Sequence, residues 1–324
     1  MNSNPPTPIS RRNVLGGLGA GLLASLLPYG CQTASEEQAA NAPAPEPFLY
    51  CLNMSTIRGQ QLGFLEELEV AARAGFTAVE IWIPSLQSYL EEGGSLAEVN
   101  KRLKALGLTV ENAIGFATWI VDDPQQRQQG MQQAREEMDL LARIGCKRIA
   151  APPAGATEAP GLDLLKAAER YAALLDLGAE TGVKPQLEVW GFSANLHLLG
   201  QAMLVAAESR HAHACLLPDV YHLYRGGSGF EGLHLLSGSA IEMFHLNDYP
   251  ATPAREALTD AHRVYPGDGV APLNSILKSL ARGPAPTVLS LELFNRDYWQ
   301  QDALEVAQTG LKKMQAVVKQ AVGE

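Results

Sequence analysis

From Phe48 to the C-terminus, short apolar runs alternate with longer stretches in which apolar residues recur every three or four positions. The short runs suit buried strands, and the longer stretches suit helices with one face on a core. Eight runs read as strands: residues 48–52, 78–82, 108–114, 147–151, 185–188, 215–219, 241–245 and 288–292. Helical periodicity occupies 61–74, 95–106, 124–144, 162–180, 196–208, 229–236, 273–280 and 301–322. Gly75, Gly107, Gly145 and Gly182 follow four of these helices, where the chain needs left-handed backbone to stop. Strands separated by helices lie parallel. Eight strand–helix units with no second shift in composition predict a single (β/α)8 TIM barrel over residues 48–324.

The last four strands share a further feature: each ends in an ionisable side chain. These are Glu188, Asp219, His245 and Glu292. In a parallel barrel, all four emerge at the same mouth, the one that carries the active site in this fold. Glu188 and Glu292 lie within Leu187-Glu188-Val189 and Leu291-Glu292-Leu293, apolar surroundings in which an unpaired carboxylate is costly. A buried Arg or Lys partner is the alternative, but the strands offer few. Asp219, in Pro218-Asp219-Val220-Tyr221-His222, serves equally well as a ligand or a helix N-cap, and His222 three residues on can face the same site. A lone His245 would read as a core residue, yet three carboxylates at equivalent strand ends make it a ligand. Such an oxygen/nitrogen set suits one divalent ion, Mn, Mg, Co or Zn, without choosing among them. The opposite strand ends carry Lys147, Lys184 and polar turns and show no comparable cluster.

Composition narrows the partners. The chain has 324 residues, a formal net charge of −10 and a pI near 5.3, which excludes a nucleic-acid partner. Residues 1–31 stand apart from the barrel pattern. Ser10-Arg11-Arg12-Asn13-Val14-Leu15 is a twin-arginine pattern before a Gly-rich apolar stretch too short to span a membrane. The expectation is an export signal for the folded chain, giving a periplasmic protein or a membrane-anchored lipoprotein. Gly30-Cys31 offers a site for a lipid anchor at Cys31, although Pro28 and Tyr29 fit poorly before it. Residues 32–47, rich in Ala, Pro and Glu, read as a disordered linker. Cys51, Cys146 and Cys215 sit in apolar runs without paired spacing and read as small buried hydrophobes.

Taken in order, Leu187-Glu188, Asp219-Val-Tyr-His222, His245-Leu-Asn-Asp248, Arg263-Val-Tyr-Pro-Gly267-Asp-Gly269 and Leu291-Glu292 resemble the xylose isomerase-like sugar phosphate isomerase/epimerase barrels. Gly75-Phe-Thr-Ala-Val-Glu80 resembles the family's second-strand segment, so the likeness covers nearly all of the chain from Phe48. By that resemblance, Glu188, Asp219, His245 and Glu292 bind one divalent metal, and His222 and Arg263 contact substrate oxygens. The implied substrate is a small carbohydrate or polyol. The implied chemistry is proton abstraction beside a carbonyl, with Glu188 and Glu292 as the acid–base pair of an isomerase or epimerase. Members resembling this chain include dehydratases and lyases, so a dehydratase or 3-keto-glycoside lyase stands second. A non-catalytic exported sugar-binding protein is the rival of another class. One departure concerns the segment after Glu188, Val189-Trp190-Gly191-Phe192, which lacks the second acid in which ketose 3-epimerases resemble one another. Trp190, with Phe116 and Trp119, is expected either to form a wall for sugar stacking or to anchor loops. Glu80 and Trp82 end strand two, where they either line the pocket or pack in the core, and core packing is the preferred reading.

Overall fold

Alternate residues of the strands point inward, and this alternation builds the site. The computed structural model describes residues 46–236, 239–283 and 286–323; the expected signal and all but the last two residues of the expected linker lie outside them. Eight parallel strands run in chain order: β1 (Phe48–Asn53), β2 (Ala78–Trp82), β3 (Thr109–Ile114), β4 (Arg148–Ala151), β5 (Lys184–Glu188), β6 (Leu216–Leu217), β7 (Met243–Leu246) and β8 (Thr287–Leu291). They pair as β3-β2-β1-β8-β7 and as β4-β5-β6. Two seams close the ring. Lys147 N–H donates to Val110 O at 3.3 Å beside β3 and β4, and His245 N–H donates to Pro218 O at 3.0 Å beside β6 and β7. The single (β/α)8 barrel expected from the sequence is therefore the fold observed.

The outer layer contains α1 (Phe64–Ala74), α2 (Ile83–Glu91), α3 (Leu96–Leu106), α4 (Pro124–Ala142), α5 (Leu164–Thr181), α6 (Leu199–Glu208), α7 (Val220–Gly226), α8 (Leu273–Leu280) and α9 (Ala303–Val322). Strand β2 and helix α8 have the bounds read from the sequence. Two helices were not expected. Helix α2 starts directly after β2 with Pro84 in its first turn, where a missing N–H costs nothing. Helix α7 starts at Val220, directly after the strand read as ending at Asp219; the Asp219 cap at one end and Gly227 at φ 90° at the other make it a helix. Conversely, the helix expected over 229–236 is a 3-10 turn, Glu231–Leu235.

Inside the barrel, Cys51, Ala78, Ile114, Ala150, Leu217, Met243 and Val288 form an apolar plug of mostly small side chains. Two residues further along their strands stand Asn53, Glu80, Asp219, His245 and Ser290, all fully buried, and Glu292 follows Ser290 at the same spacing. The period of two thus stacks a polar floor on the apolar plug. The N-terminal mouth differs from expectation: it carries a charge cluster of its own. Arg148 donates to Glu111 at 2.9 Å and to Glu242 at 2.8 Å, while Lys147 and Lys184 pair with the same two carboxylates. Burial raises the Glu111 pKa, but its contacts with Lys147, Thr109 and Arg148 outweigh that and leave it lowered. Three cations there serve two carboxylates, which makes it a clasp rather than a metal site. Cys51, Cys146 and Cys215 are buried and unpaired, as expected.

Candidate active site

Asp219, His245 and Glu292 converge at the C-terminal mouth, with one ligand atom of each within 4.8 Å of the others. His245 Nδ1 is the centre. It stands 3.1 Å from Glu292 Oε2, 3.8 Å from Asp219 Oδ2 and 3.9 Å from Glu188 Oε1. It is buried, yet it makes no aligned hydrogen bond among the described residues. Buried polar atoms ordinarily have a partner, so an orphaned imidazole nitrogen facing three carboxylates fits a divalent cation. Glu188 lies outside the tight triad but within reach of the same nitrogen. Both readings of Asp219 hold at once. Its Oδ1 accepts from His222 N–H at 2.7 Å and caps α7, while its Oδ2 faces the site.

Arg263 links these groups. Its Nη1 donates to Glu292 Oε2 at 2.7 Å and Asp219 Oδ2 at 3.0 Å, and its Nη2 donates to Asp260 Oδ1 at 2.6 Å. His222 Nε2 lies 3.0 Å from Nη2, and His222 Nδ1 accepts from Gly191 N–H at 3.2 Å. Burial and the adjacent guanidinium lower the His222 pKa. The loop carrying Arg263 is tied down by Asp248, whose carboxylate accepts backbone N–H bonds from Tyr249, Gly267, Gly269 and Ala271. A side chain at Gly269 would collide with Tyr249 O and the Asp248 carboxylate, so the glycine permits that approach.

Burial pushes the Glu188 carboxyl up to about 8, against the lowering pull of His245. Burial acts on Glu292 in the same sense, but His245 and Arg263 outweigh it and leave Glu292 below the usual carboxylate range. Burial lowers the His245 pKa, whereas Glu292 and Glu80 together raise it well above the ordinary imidazole value. A cation among these carboxylates would take the place of that proton, because metals bind the neutral ring.

Above this floor lies a cavity of about 230 Å³. Glu188, Glu292, His222, Asp260 and Arg263 line its base, and Trp82, Phe116, Trp190, Phe192 and Phe294 form its walls. The rings run in contact around the wall, with centroid separations of 5.2–6.0 Å. Trp190 and Phe116 therefore belong to the cavity wall. Trp119 does not: it is fully buried, donates to Pro152 O at 2.9 Å and packs on Tyr171, which makes it a loop anchor.

Asp260 and Phe294 escaped the reading of the sequence, and Glu80 and Trp82, expected to pack in the core, belong to the site instead. Asp260 lies in a polar loop with nothing to distinguish it. Glu80 was read as packing, although Val79-Glu80-Ile81 embeds a carboxylate in apolar residues just as Leu187-Glu188-Val189 does. Glu80 Oε1 stands 3.0 Å from His245 Nε2, on the far side of the ring from the triad.

Comparison with known proteins agrees with this architecture. The family described as xylose isomerase-like TIM barrel matches residues 68–317. The chain belongs to that family. Among curated relatives, the inosose isomerase of Bacillus velezensis is 26% identical over 277 residues, covering 83% of this chain and 96% of the relative. Among solved structures, the 1.8 Å crystal structure of the IolI protein with a bound zinc atom superposes with a TM-score of 0.79 at 24% identity. That match covers 86% of this chain and 100% of the other. An L-ribulose 3-epimerase has a TM-score of 0.67 at 18% identity, covering 85% of this chain and 95% of the other. Family members thus share the barrel that brings Asp219, His245 and Glu292 together here.

Proposed function

We propose that this chain is a divalent-metal-dependent isomerase or epimerase of a small carbohydrate or cyclic polyol ketone, the class to which an inosose belongs. One observation carries the reading: two carboxylates, Glu188 and Glu292, both line the cavity and both flank the orphaned His245 Nδ1. Asp219, His245, Glu292 and Glu188 would hold the cation. When bound, a divalent cation supplies Lewis-acid polarisation of a carbonyl and its adjacent hydroxyl, which acidifies the neighbouring C–H.

The chain's own groups perform the remaining steps. Arg263 and His222 orient substrate oxygens at the base of the cavity, and the aromatic wall stacks on the C–H face of the ring while excluding water. Glu188 and Glu292 are placed to remove a proton beside the carbonyl and to return one. Return to the same carbon from the other face is epimerisation, and return to the neighbouring carbon is isomerisation. A non-catalytic sugar-binding protein would have no use for a second buried carboxylate beside the first. The inosose isomerase relative supports the cyclic ketone as substrate class. The twin-arginine pattern at Arg11-Arg12 supports export of the folded chain, a setting that suits free sugars better than sugar phosphates.

The test is incubation of zinc- or manganese-loaded protein with inososes and ketoses in D₂O. Deuterium entering beside the carbonyl, with product mass otherwise unchanged, is expected. Loss of water from the product would replace the isomerase by a dehydratase. Absence of exchange with metal bound would leave only the binding-protein reading.

A further inference from the structure

The metal-type ligands come from β5 to β8, yet the atoms that orient them come largely from β1 and β2. We infer that Glu80 and Asn53 are positioning residues that set which atoms of His245 and Glu292 face the cation. The inference rests on the metal site proposed above and concerns residues that touch neither cation nor substrate.

Counting donors fixes the assignment. Glu80 is fully buried, and its carboxylate is surrounded by donors. Asn112 Nδ2 donates to Oε1 at 2.7 Å, while Asn53 Nδ2 at 2.8 Å and Ser290 Oγ at 2.5 Å donate to Oε2. A carboxylate receiving three donors acts as an acceptor toward its fourth neighbour as well. That neighbour is His245 Nε2, 3.0 Å from Oε1. Nε2 therefore keeps its proton when a cation binds, and Nδ1, the nitrogen surrounded by Asp219, Glu292 and Glu188, is the one left to ligate it. A carboxylate behind a ligating histidine selects the tautomer and raises the basicity of the ring.

Asn53 treats Glu292 in a similar way. Its own orientation is settled because its Oδ1 accepts from Trp82 Nε1 at 3.0 Å and from Ser55 N–H at 2.8 Å. The amide nitrogen then points to Glu80 and, at 3.1 Å, to Glu292 Oε1. With Oε1 held from behind, Oε2 is the oxygen that faces His245 and Arg263. Asn53 also ties this layer to Trp82 in the cavity wall, so one amide joins the substrate side of the site to both orienting contacts.

Zinc titration of the full chain against a chromophoric chelator, in wild type and Glu80→Gln, tests the idea. The glutamine amide can present N–H to Nε2 and favour the wrong tautomer. The expected loss is about 10–100-fold in zinc affinity, larger than the fall in melting temperature in EDTA that follows from the lost Glu80–His245 pairing. The cobalt-loaded variant is expected to show a changed visible absorption spectrum, and Glu80→Asp to recover part of the affinity. Ser290→Ala, which removes one donor to Glu80 with little change in volume, is expected to shift affinity in the same direction by less. Equal zinc affinity in wild type and Glu80→Gln would overturn the positioning role alone. An affinity loss matched by an equivalent loss of melting temperature in EDTA, with an unchanged cobalt spectrum, would overturn it too. A wild type that binds no zinc would remove the metal site itself.

Discussion

Arg263→Leu is the substitution whose cost the structure determines best. The guanidinium is 1% exposed and faces three carboxylates: Glu292 at 2.7 Å, Asp219 at 3.0 Å and Asp260 at 2.6 Å. It also lies over the rings of Tyr221 at 4.6 Å and Phe294 at 5.0 Å. Leucine keeps much of the volume but leaves Asp219 and Glu292 buried without their cation. Removing one partner of a buried pair costs about 3–5 kcal/mol, because the other charge stays behind unpaired. At about 2–4 °C per kcal/mol for a barrel-sized domain, the expected fall in melting temperature is roughly 10 °C. Circular dichroism melts in EDTA at constant pH are the assay, since chelation removes any stabilisation by bound metal. Arg263→Lys is expected to fall between the two, because one ammonium keeps the charge but not the fork that reaches Asp219, Glu292 and Asp260 together. A leucine variant that melts with the wild type would refute the claim that this guanidinium neutralises the site.

The wall and a second buried carboxylate supply further tests. Trp190→Ala removes a ring packed 5.2 Å from Phe192 and 6.0 Å from Phe116; a loss of about 0.5–1.5 kcal/mol of aromatic contact predicts KM up about three- to tenfold with kcat little changed. Glu67 on α1 is 6% exposed, and burial pushes its carboxyl up to about 7. Its folded pKa lies above the unfolded value, so this contribution is intact below about pH 4.5 and is lost as pH rises through 7. Glu67→Gln is therefore expected to be more stable than wild type by about 3 kcal/mol at pH 8 and equal to it near pH 4, read by denaturant titration. Equal stability at pH 8 would refute the shift. If the proposed export holds, Arg11→Lys with Arg12→Lys will retain the chain in the cytoplasm, which fractionation and blotting detect; unaltered export would remove the twin-arginine assignment.

How much of this was legible beforehand depends on whether the determining contacts are local or distant. Strand β2 and helix α8 were read to the residue because a periodic run with clear ends carries its own signal. The convergence of Asp219, His245 and Glu292, with Glu188 beside them, was legible because each closes an apolar run, and the parallel barrel supplies the rest of the geometry. Helix α7 was not legible, since Val220-Tyr221-His222-Leu223 favours strand on propensity alone and only the Asp219 cap overrides it. The paired charges at the opposite mouth escaped notice because Glu111 and Glu242 lie 131 residues apart in sequence and meet only through Arg148.

Glu80 is the instructive case, because it carried the same local signal as Glu188. What separates the proposed ligands from the orienter is which nitrogen of His245 they face: Glu80 meets Nε2, while Glu188, Asp219 and Glu292 surround Nδ1. Glu80 is served by Asn53, Asn112 and Ser290 from three different strands, whereas no side chain among the described residues makes an aligned hydrogen bond to His245 Nδ1, the nitrogen that Glu188 flanks. That count exists only once the barrel closes. A carboxylate behind Nε2 holds the ring in place, and those facing the orphaned Nδ1 are the ones placed to bind a cation or take a proton. The division of labour in the barrel follows from that difference, with Asn53 on β1, Asn112 on β3 and Ser290 on β8 holding Glu80, and the ends of β5 to β8 supplying the groups around Nδ1.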